Sequence, residues 1–236
     1  VNSSSTENNE CPCKLFPRPS LWHKEETARW MVHSLDWGVL STISTRLESV
    51  EESGEREVQA IGTTKSSSSS SPKPVPFGNI YSFVDGSCDD STGTPYFYGT
   101  YMDQSFADSV SNNAVSFSLS EASIPSVCAA SQTPLKSCTI SPSGYGDPEN
   151  PVCARLVLSG MLEVLTPGGD EYKQAQSALF LRHPSMAAWP SDHEWIIAKL
   201  KIDDIWLIDY FGGASILDID AYYSVDLSPT TTENKN

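Results

Sequence analysis

The apolar positions change period several times along the chain, and each change marks an element. Ala28, Met31, Val32 and Leu35 recur at i, i+3, i+4 and i+7, one face of a helix. Ser20 stands ahead of that helix as a cap, Glu25 and Glu26 fall in its first turn where the dipole favours acids, and Gly38 ends it. Val39–Ser44 is then rich in strand formers. Ile80–Val84 predicts a second strand, closed by Asp85-Gly86, a hairpin-type turn signal. Pro95–Gly99 predicts a third, Gln104–Val110 a short helix, and Ala114–Ser120 alternates apolar with small polar residues as a half-buried strand does. Cys153–Met161 opens a long strand. Gly168-Gly169-Asp170 turns the chain into a helix with Tyr172, Ala175, Ala178 and Leu179 inward, and Pro184 stops it. Two strands follow at 194–202 and 205–211, with Asp203-Asp204 as the turn between them. Gly212-Gly213 breaks the second, and Asp218 caps a last short helix through Tyr223.

Many short strands with helices at their edges predict an α+β protein whose antiparallel sheet forms a closed or split β-barrel. The expected organisation is a flexible N-terminal arm over 1–19, a barrel domain over 20–226 and a disordered tail over 227–236. Inside the domain, residues 46–76 hold no steady period. Glu51, Glu52, Glu55 and Glu57, the Ser66–Ser71 run and Pro72, Pro74 and Pro76 cannot bury enough apolar surface to offset ordering entropy, so a disordered acidic, serine-rich insertion is expected. A phosphorylated serine tract is the functional alternative. Residues 121–151, rich in Ser, Pro and Gly, read as a long surface loop.

Composition narrows the class. The 236 residues suffice for one core, to which six tryptophans and nine tyrosines bring large apolar surfaces. No run reaches the roughly 18 apolar residues of a membrane-spanning helix. A formal charge of −15 repels a phosphate polyanion and argues against nucleic-acid binding. The acidity reads as a solvated surface, with an acidic patch for a basic partner as the alternative. Six cysteines, an even number, suit disulfides in an oxidising compartment. Asn2-Ser3-Ser4 is a glycosylation sequon, and opening on Val1 rather than Met is consistent with removal of a secretory leader.

Catalytic and metal signatures do not emerge. Cys11-x-Cys13 is too tight for a zinc pair, and His23, His33, His183 and His193 form no pair within one element. Neither Ser143-Gly144 nor Ser159-Gly160 carries the preceding glycine of a hydrolase elbow. There is no Walker sequence and no Gly-x-Gly-x-x-Gly. Adjacent strand residues point to opposite faces, so Asp203-Asp204 does not form an acid/base pair.

Several segments taken in order do form a pattern: Ala28-Arg29-Trp30, Asp36-Trp37-Gly38-Val39-Leu40-Ser41-Thr42-Ile43-Ser44-Thr45, Pro76-Phe77-Gly78, Val84-Asp85-Gly86 and Pro95-Tyr96-Phe97-Tyr98. Leu158-Ser159-Gly160, Leu179 through Pro184, Met186, Trp189-Pro190-Ser191, Ala198-Lys199-Leu200, Asp204-Ile205-Trp206 and Asp209 through Gly213 follow. Across about residues 20–225 this resembles the CREG family of secreted glycoproteins. The resemblance implies the split barrel of pyridoxamine-phosphate-oxidase-like proteins, a symmetric homodimer, and a secreted or endolysosomal location. In flavin-using relatives FMN sits at the dimer interface; CREG-like members resemble that fold with the pocket filled and without known catalysis. Cys138 and Cys153 match a cysteine pair of the family; closing such a loop contributes about 3 kcal/mol in the chain-entropy model. Cys88 with Cys128 is the second candidate bridge, and Cys11 and Cys13 stay unassigned.

The residues also bear on the cofactor. Pro74 through Leu135, 62 residues covering the central strands, contain no Lys, Arg or His, whereas a phosphate dianion needs donors or cations to offset its desolvation. No cofactor and no metal are expected. If FMN binds, Arg182, Arg155, Ser82 and Thr100 are the groups to hold its phosphate. The alternative for Arg182 is that it fixes the helix end before Pro184. Tyr96, Phe97 and Tyr98 are core or interface aromatics, or a stacking surface for the flavin ring. The expected function is a non-catalytic binding or regulatory protein with an unidentified protein partner or receptor. An FMN-dependent oxidoreductase is the alternative, and a structural cell-surface protein whose acidic loops bind cations is the third.

Overall fold

The computed structural model describes residues 16–44, 74–124, 137–140 and 146–227. Asn2, Cys11, Cys13, Cys128, the serine tract and most of the expected insertion and tail lie outside them. The elements, in chain order, are α1 (Lys24–Ser34), β1 (Trp37–Ser44), β2 (Val75–Ser87), β3 (Asp90–Gly99), α2 (Gln104–Ser111), β4 (Ala114–Ser120), β5 (Arg155–Val164), α3 (Asp170–Arg182), β6 (Ile196–Ile208), β7 (Ser215–Ile216) and α4 (Ile219–Tyr223).

The strands pair antiparallel in the order β3-β2-β1-β4-β5-β6, and β3 pairs back onto β6, which closes a six-stranded barrel; β7 is a short ribbon on β6. Alternation along the strands sorts residues to two sides. Phe117 meets Phe83 and Phe97 edge to face, 4.9 Å from each. Such pairs each contribute about 0.5–1.5 kcal/mol beyond area burial. Helix α1 adds Trp30, Met31 and Leu35 to that cluster. Between Phe83 and Phe97 and their neighbours, Val84 and Tyr96 join Ile197 in a second cluster, against Ala175, Ala178 and Leu179 of α3.

Buried charges fasten α1. His33 Nδ1 donates to Asp85 at 2.7 Å, and Asp85 also accepts from the Ser91 hydroxyl at 2.6 Å. Arg29 donates to the carbonyls of Ser91 (2.6 Å) and Tyr222 (3.0 Å), with the Tyr222 ring beneath it. Arg182 donates to Asp36 at 2.7 Å and to the His33 carbonyl at 2.8 Å. It therefore secures the C-terminal end of α1, and not, as one sequence reading has it, the end of its own helix.

Six local readings are revised. Gly38 does not end α1, which stops at Ser34 with Leu35 as its C-terminal cap position; it lies inside β1. The N-terminal cap position of α1 is His23, not Ser20, whose carbonyl instead accepts the His23 N–H at 2.9 Å. Asp85-Gly86 is no hairpin turn: it lies inside β2 at a register shift, and the chain reverses at Cys88-Asp89. Gly86 has φ +144°, and a Cβ there would stand 2.1 Å from the Asp90 carbonyl oxygen, so the kink demands glycine. Asp203-Asp204 is likewise no turn but a bulge in one continuous β6, because Ser159 pairs with Asp204 and Gly160 with Ile202. At the N-terminal end, residues 16–19 are docked: the Phe16 carbonyl accepts from Trp30 Nε1 at 2.9 Å, and Arg18 makes a buried ion pair with Glu121 at 2.7 Å. Residues 75 and 76 of the expected insertion open β2 opposite Ser44 and Ile43. Cys138 and Cys153 are disulfide-linked. Cys88 is disulfide-bonded too, its partner lying outside the described residues.

Candidate functional site

Pro184 ends α3, and the chain crosses back as two 3-10 turns, Pro184–Ala188 and Ser191–His193, before β6 begins. Thr100 at the end of β3 donates to the His193 carbonyl at 2.5 Å, and Trp195 Nε1 donates to the Pro190 carbonyl at 2.7 Å. Those two bonds lay Trp189 and Trp195 against Tyr98. The Tyr98 and Trp195 rings stack at 4.8 Å and 17°, and Trp189 lies 4.9 Å from Trp195.

Between this aromatic cluster, the Ile80–Ser82 stretch of β2 and the approach to α2 runs a groove of about 430 Å³. Its fixed charge is Asp103, which caps α2 by accepting the Ser105 N–H at 2.9 Å. Asp103 also accepts from the Tyr81 hydroxyl and, at 3.1 Å, from Asn79 Nδ2. Burial, with the hydrogen bond and charge of Asp103 next, pushes the Tyr81 phenol far above its usual range, so it serves as a donor and not as a phenolate. Burial and the neighbouring Tyr172 likewise raise Tyr98.

A second, more polar cleft of about 530 Å³ lies between α3 and the β2–β3 hairpin. Tyr96 donates to Glu171 at 3.0 Å, and Lys199 donates to the same carboxylate at 2.9 Å. Burial acts to raise the Glu171 carboxyl, but those two donors outweigh it and hold the group below its ordinary value. Burial, then the Glu171 bond and charge, raises the Tyr96 phenol. This is an ion pair with the Tyr96 hydroxyl attached, in a cleft also lined by Ser87, Thr92, Lys173 and Ser177.

The structure brings some of the sequence candidates together and not others. Ser82 and Thr100 both line the groove. Arg182 is committed to Asp36 and the end of α1, and Arg155 donates to the Glu149 carbonyl at 3.0 Å; neither lines the groove. Of the three consecutive aromatics, Phe97 is in the barrel core, Tyr96 faces α3 and Tyr98 faces the groove. The groove does not fit a flavin phosphate. Among the described residues lining it there is no Lys or Arg; the one basic side chain is His193, whose ring lies 5.6 Å from that of Trp195 and whose Nε2 is 3.7 Å from Asp192. The N-terminus of α2, where an anion would be favoured, is covered by a carboxylate, and the Thr100 hydroxyl is already donated to a carbonyl. In the sequence Trp189 stands out only as part of the family pattern, whereas an Asp directly before a helical stretch, as Asp103 is, carries a recognisable capping signal. Nothing local to Trp189 or Trp195 announces that they meet Tyr98.

Among the described residues no group of three or more His, Cys, Asp or Glu is placed to hold a metal ion, and no helix is long and apolar enough to cross a membrane. The family model described as "CREG, beta-barrel" matches residues 19–224. Mouse Protein CREG1 is 32% identical over 215 residues, covering 91% of this chain and 80% of the relative. Mouse Protein CREG2 is 33% identical over 197 residues, covering 84% of this chain and 55% of the relative, so the chain spans little more than half of that protein. Among solved structures, a heme binding protein from Mycobacterium smegmatis superposes with TM-score 0.54 at 17% identity, over 87% of this chain and 61% of that one. Protein Atu2129 from Agrobacterium tumefaciens gives 0.52 at 16%, over 86% and 62%. The chain thus spans about three fifths of the length of either structure, and these likenesses are of fold. Closed barrel, flanking helices and matched sequence agree: the chain belongs to the CREG family.

Proposed function

We propose that this chain works by binding and not by flavin redox chemistry, as a secreted or endolysosomal, homodimeric CREG-type protein that presents the barrel to a partner or receptor. The observation that carries this reading is the composition of the groove. The groove offers an aromatic cluster, one carboxylate and the His193 imidazole but no Lys or Arg, and the candidate arginines are committed elsewhere. Offsetting a buried phosphate takes several charge-assisted donors, and His193 is the one basic side chain in this lining. The Cys138–Cys153 link supports an oxidising compartment.

The test is an absorption spectrum of the purified, dialysed protein, followed by titration with FMN and sedimentation for the oligomeric state. The expected result is no retained flavin band, no saturable FMN binding at micromolar concentration, and a dimer mass. A flavin that survives dialysis and is reduced by a small electron donor would overturn the reading in favour of an oxidoreductase.

A further inference from the structure

We propose that the groove between the end of β3 and the Trp189–Trp195 segment is a binding site for a small aromatic organic cation, an arylalkylammonium. This rests on the non-flavin reading above and names the ligand class of that same groove. Its aromatic wall is Tyr98, Trp189 and Trp195, packed on one another with Trp189 39% exposed; a cation set over an open face of such a stack is attracted electrostatically, most strongly where water is partly excluded. Asp103 is the charge on the facing side. Three donors, the Tyr81 hydroxyl, Asn79 Nδ2 and the Ser105 N–H, hold the carboxylate in place.

Asp103 differs from the carboxylates that fasten the fold. Asp36, Asp85, Glu121 and Asp209 each face a basic group, from Arg182, His33, Arg18 and Lys24 respectively. Asp103 makes hydrogen bonds to neutral donors and no ion pair, so its charge is left for something outside the chain to complement. The Ser82 hydroxyl makes no hydrogen bond among the described residues and is free to accept from an ammonium. The volume, about 430 Å³, lies inside the span of roughly 300–1,000 Å³ of small-molecule clefts. A chain charge of −15 draws cations towards it and turns anions away.

Calorimetric titration of the full chain at neutral pH with four probes tests this: phenethylamine, its neutral isostere 2-phenylethanol, phenylacetate, and FMN. The amine should bind at least about fivefold tighter than the alcohol, within the range a cation–π contact supplies, and phenylacetate should not bind. Raising the salt should weaken the amine and leave the alcohol unchanged. Asp103→Asn, which keeps a capping side chain on α2, should lose the preference for the amine while retaining the alcohol; Trp195→Ala should weaken both. Equal affinity for amine and alcohol, tighter binding of phenylacetate, or no binding of any probe at millimolar concentration overturns the proposal. If none of the four binds, the ligand class falls while the non-flavin reading stands. Tight binding of FMN brings down both.

Discussion

The fastening of α1 and the groove beside β3 treat charge in opposite ways. Around α1, Arg29, Arg182, His33, Asp85 and Asp36 are brought into one hydrogen-bonded assembly, and His33, Asp85 and Arg29 are no more than 2% exposed. Breaking one member of such an assembly strands its partner, so the charges there serve the architecture. In the groove a carboxylate is bonded only to neutral donors, a hydroxyl is unspent, and aromatic faces reach solvent. The contrast says where the cations of an acidic chain have gone. Arg18, Arg29 and Arg182 all hold elements together, and the central strands supply none to replace them. The groove beside β3 is left with one carboxylate and without a Lys or Arg among its described lining residues.

The sharpest way to break the contrast is at Asp85. Asp85→Ala removes the acceptor for His33, Ser91 and the Gly93 N–H. Its expected cost is about 3–5 kcal/mol, the range for removing one side of a buried pair. Urea unfolding would show it as a fall in midpoint at unchanged slope; a loss under about 1 kcal/mol would mean that the assembly is not structural. Asp103→Asn makes the complementary case. Asn is as good a cap as Asp and no ion pair is lost, but its amide nitrogen cannot accept from the donor that faces the second carboxylate oxygen, so unfolding should shift by about 1–3 kcal/mol, less than for Asp85→Ala. A larger loss would place Asp103 in the architecture and not in the groove's chemistry.

The smallest effect concerns pH. Burial holds the His183 imidazole below its ordinary pKa, against the opposing bond to the Phe83 carbonyl and the charge of Asp36, with Arg182 adding to the depression. A base whose folded pKa is depressed stabilises the fold above its unfolded value, and that contribution is lost as pH falls through the folded value. His183→Gln should therefore flatten the decline in stability on acidification below about pH 6.5, the unfolded histidine value. Thermal melts across that window would measure it, and parallel curves for variant and wild type would refute the assignment.

How much of this was legible in the sequence differs with the range of the interaction. The α2 helix, β4, the α3 face made by Ala175, Ala178 and Leu179, and the Asp218 cap were readable because period and capping are local properties. Asp85-Gly86 and Asp203-Asp204 were read as turns. A bulge and a tight turn ask the same of the backbone, and only the partner strand distinguishes them. Arg182 was singled out, but its partner Asp36 lies 146 positions away, beyond any local pattern. Tyr98 was visible as one of three aromatics; its separation from Phe97 follows from strand alternation once the inner side is known.

By itself, then, the sequence determined the class: strand and helix periods, the acidic charge, the cation-free central stretch and the residues that carry the CREG pattern, all properties of neighbours in the chain or of composition. Barrel closure through β3 and β6, the commitment of Arg182 to α1, and the meeting of Tyr98 with two tryptophans some 90 positions later were decided by the tertiary structure. Those contacts depend on which surfaces face each other after folding, and that is fixed by burial and pairing across the whole chain, not by local preference.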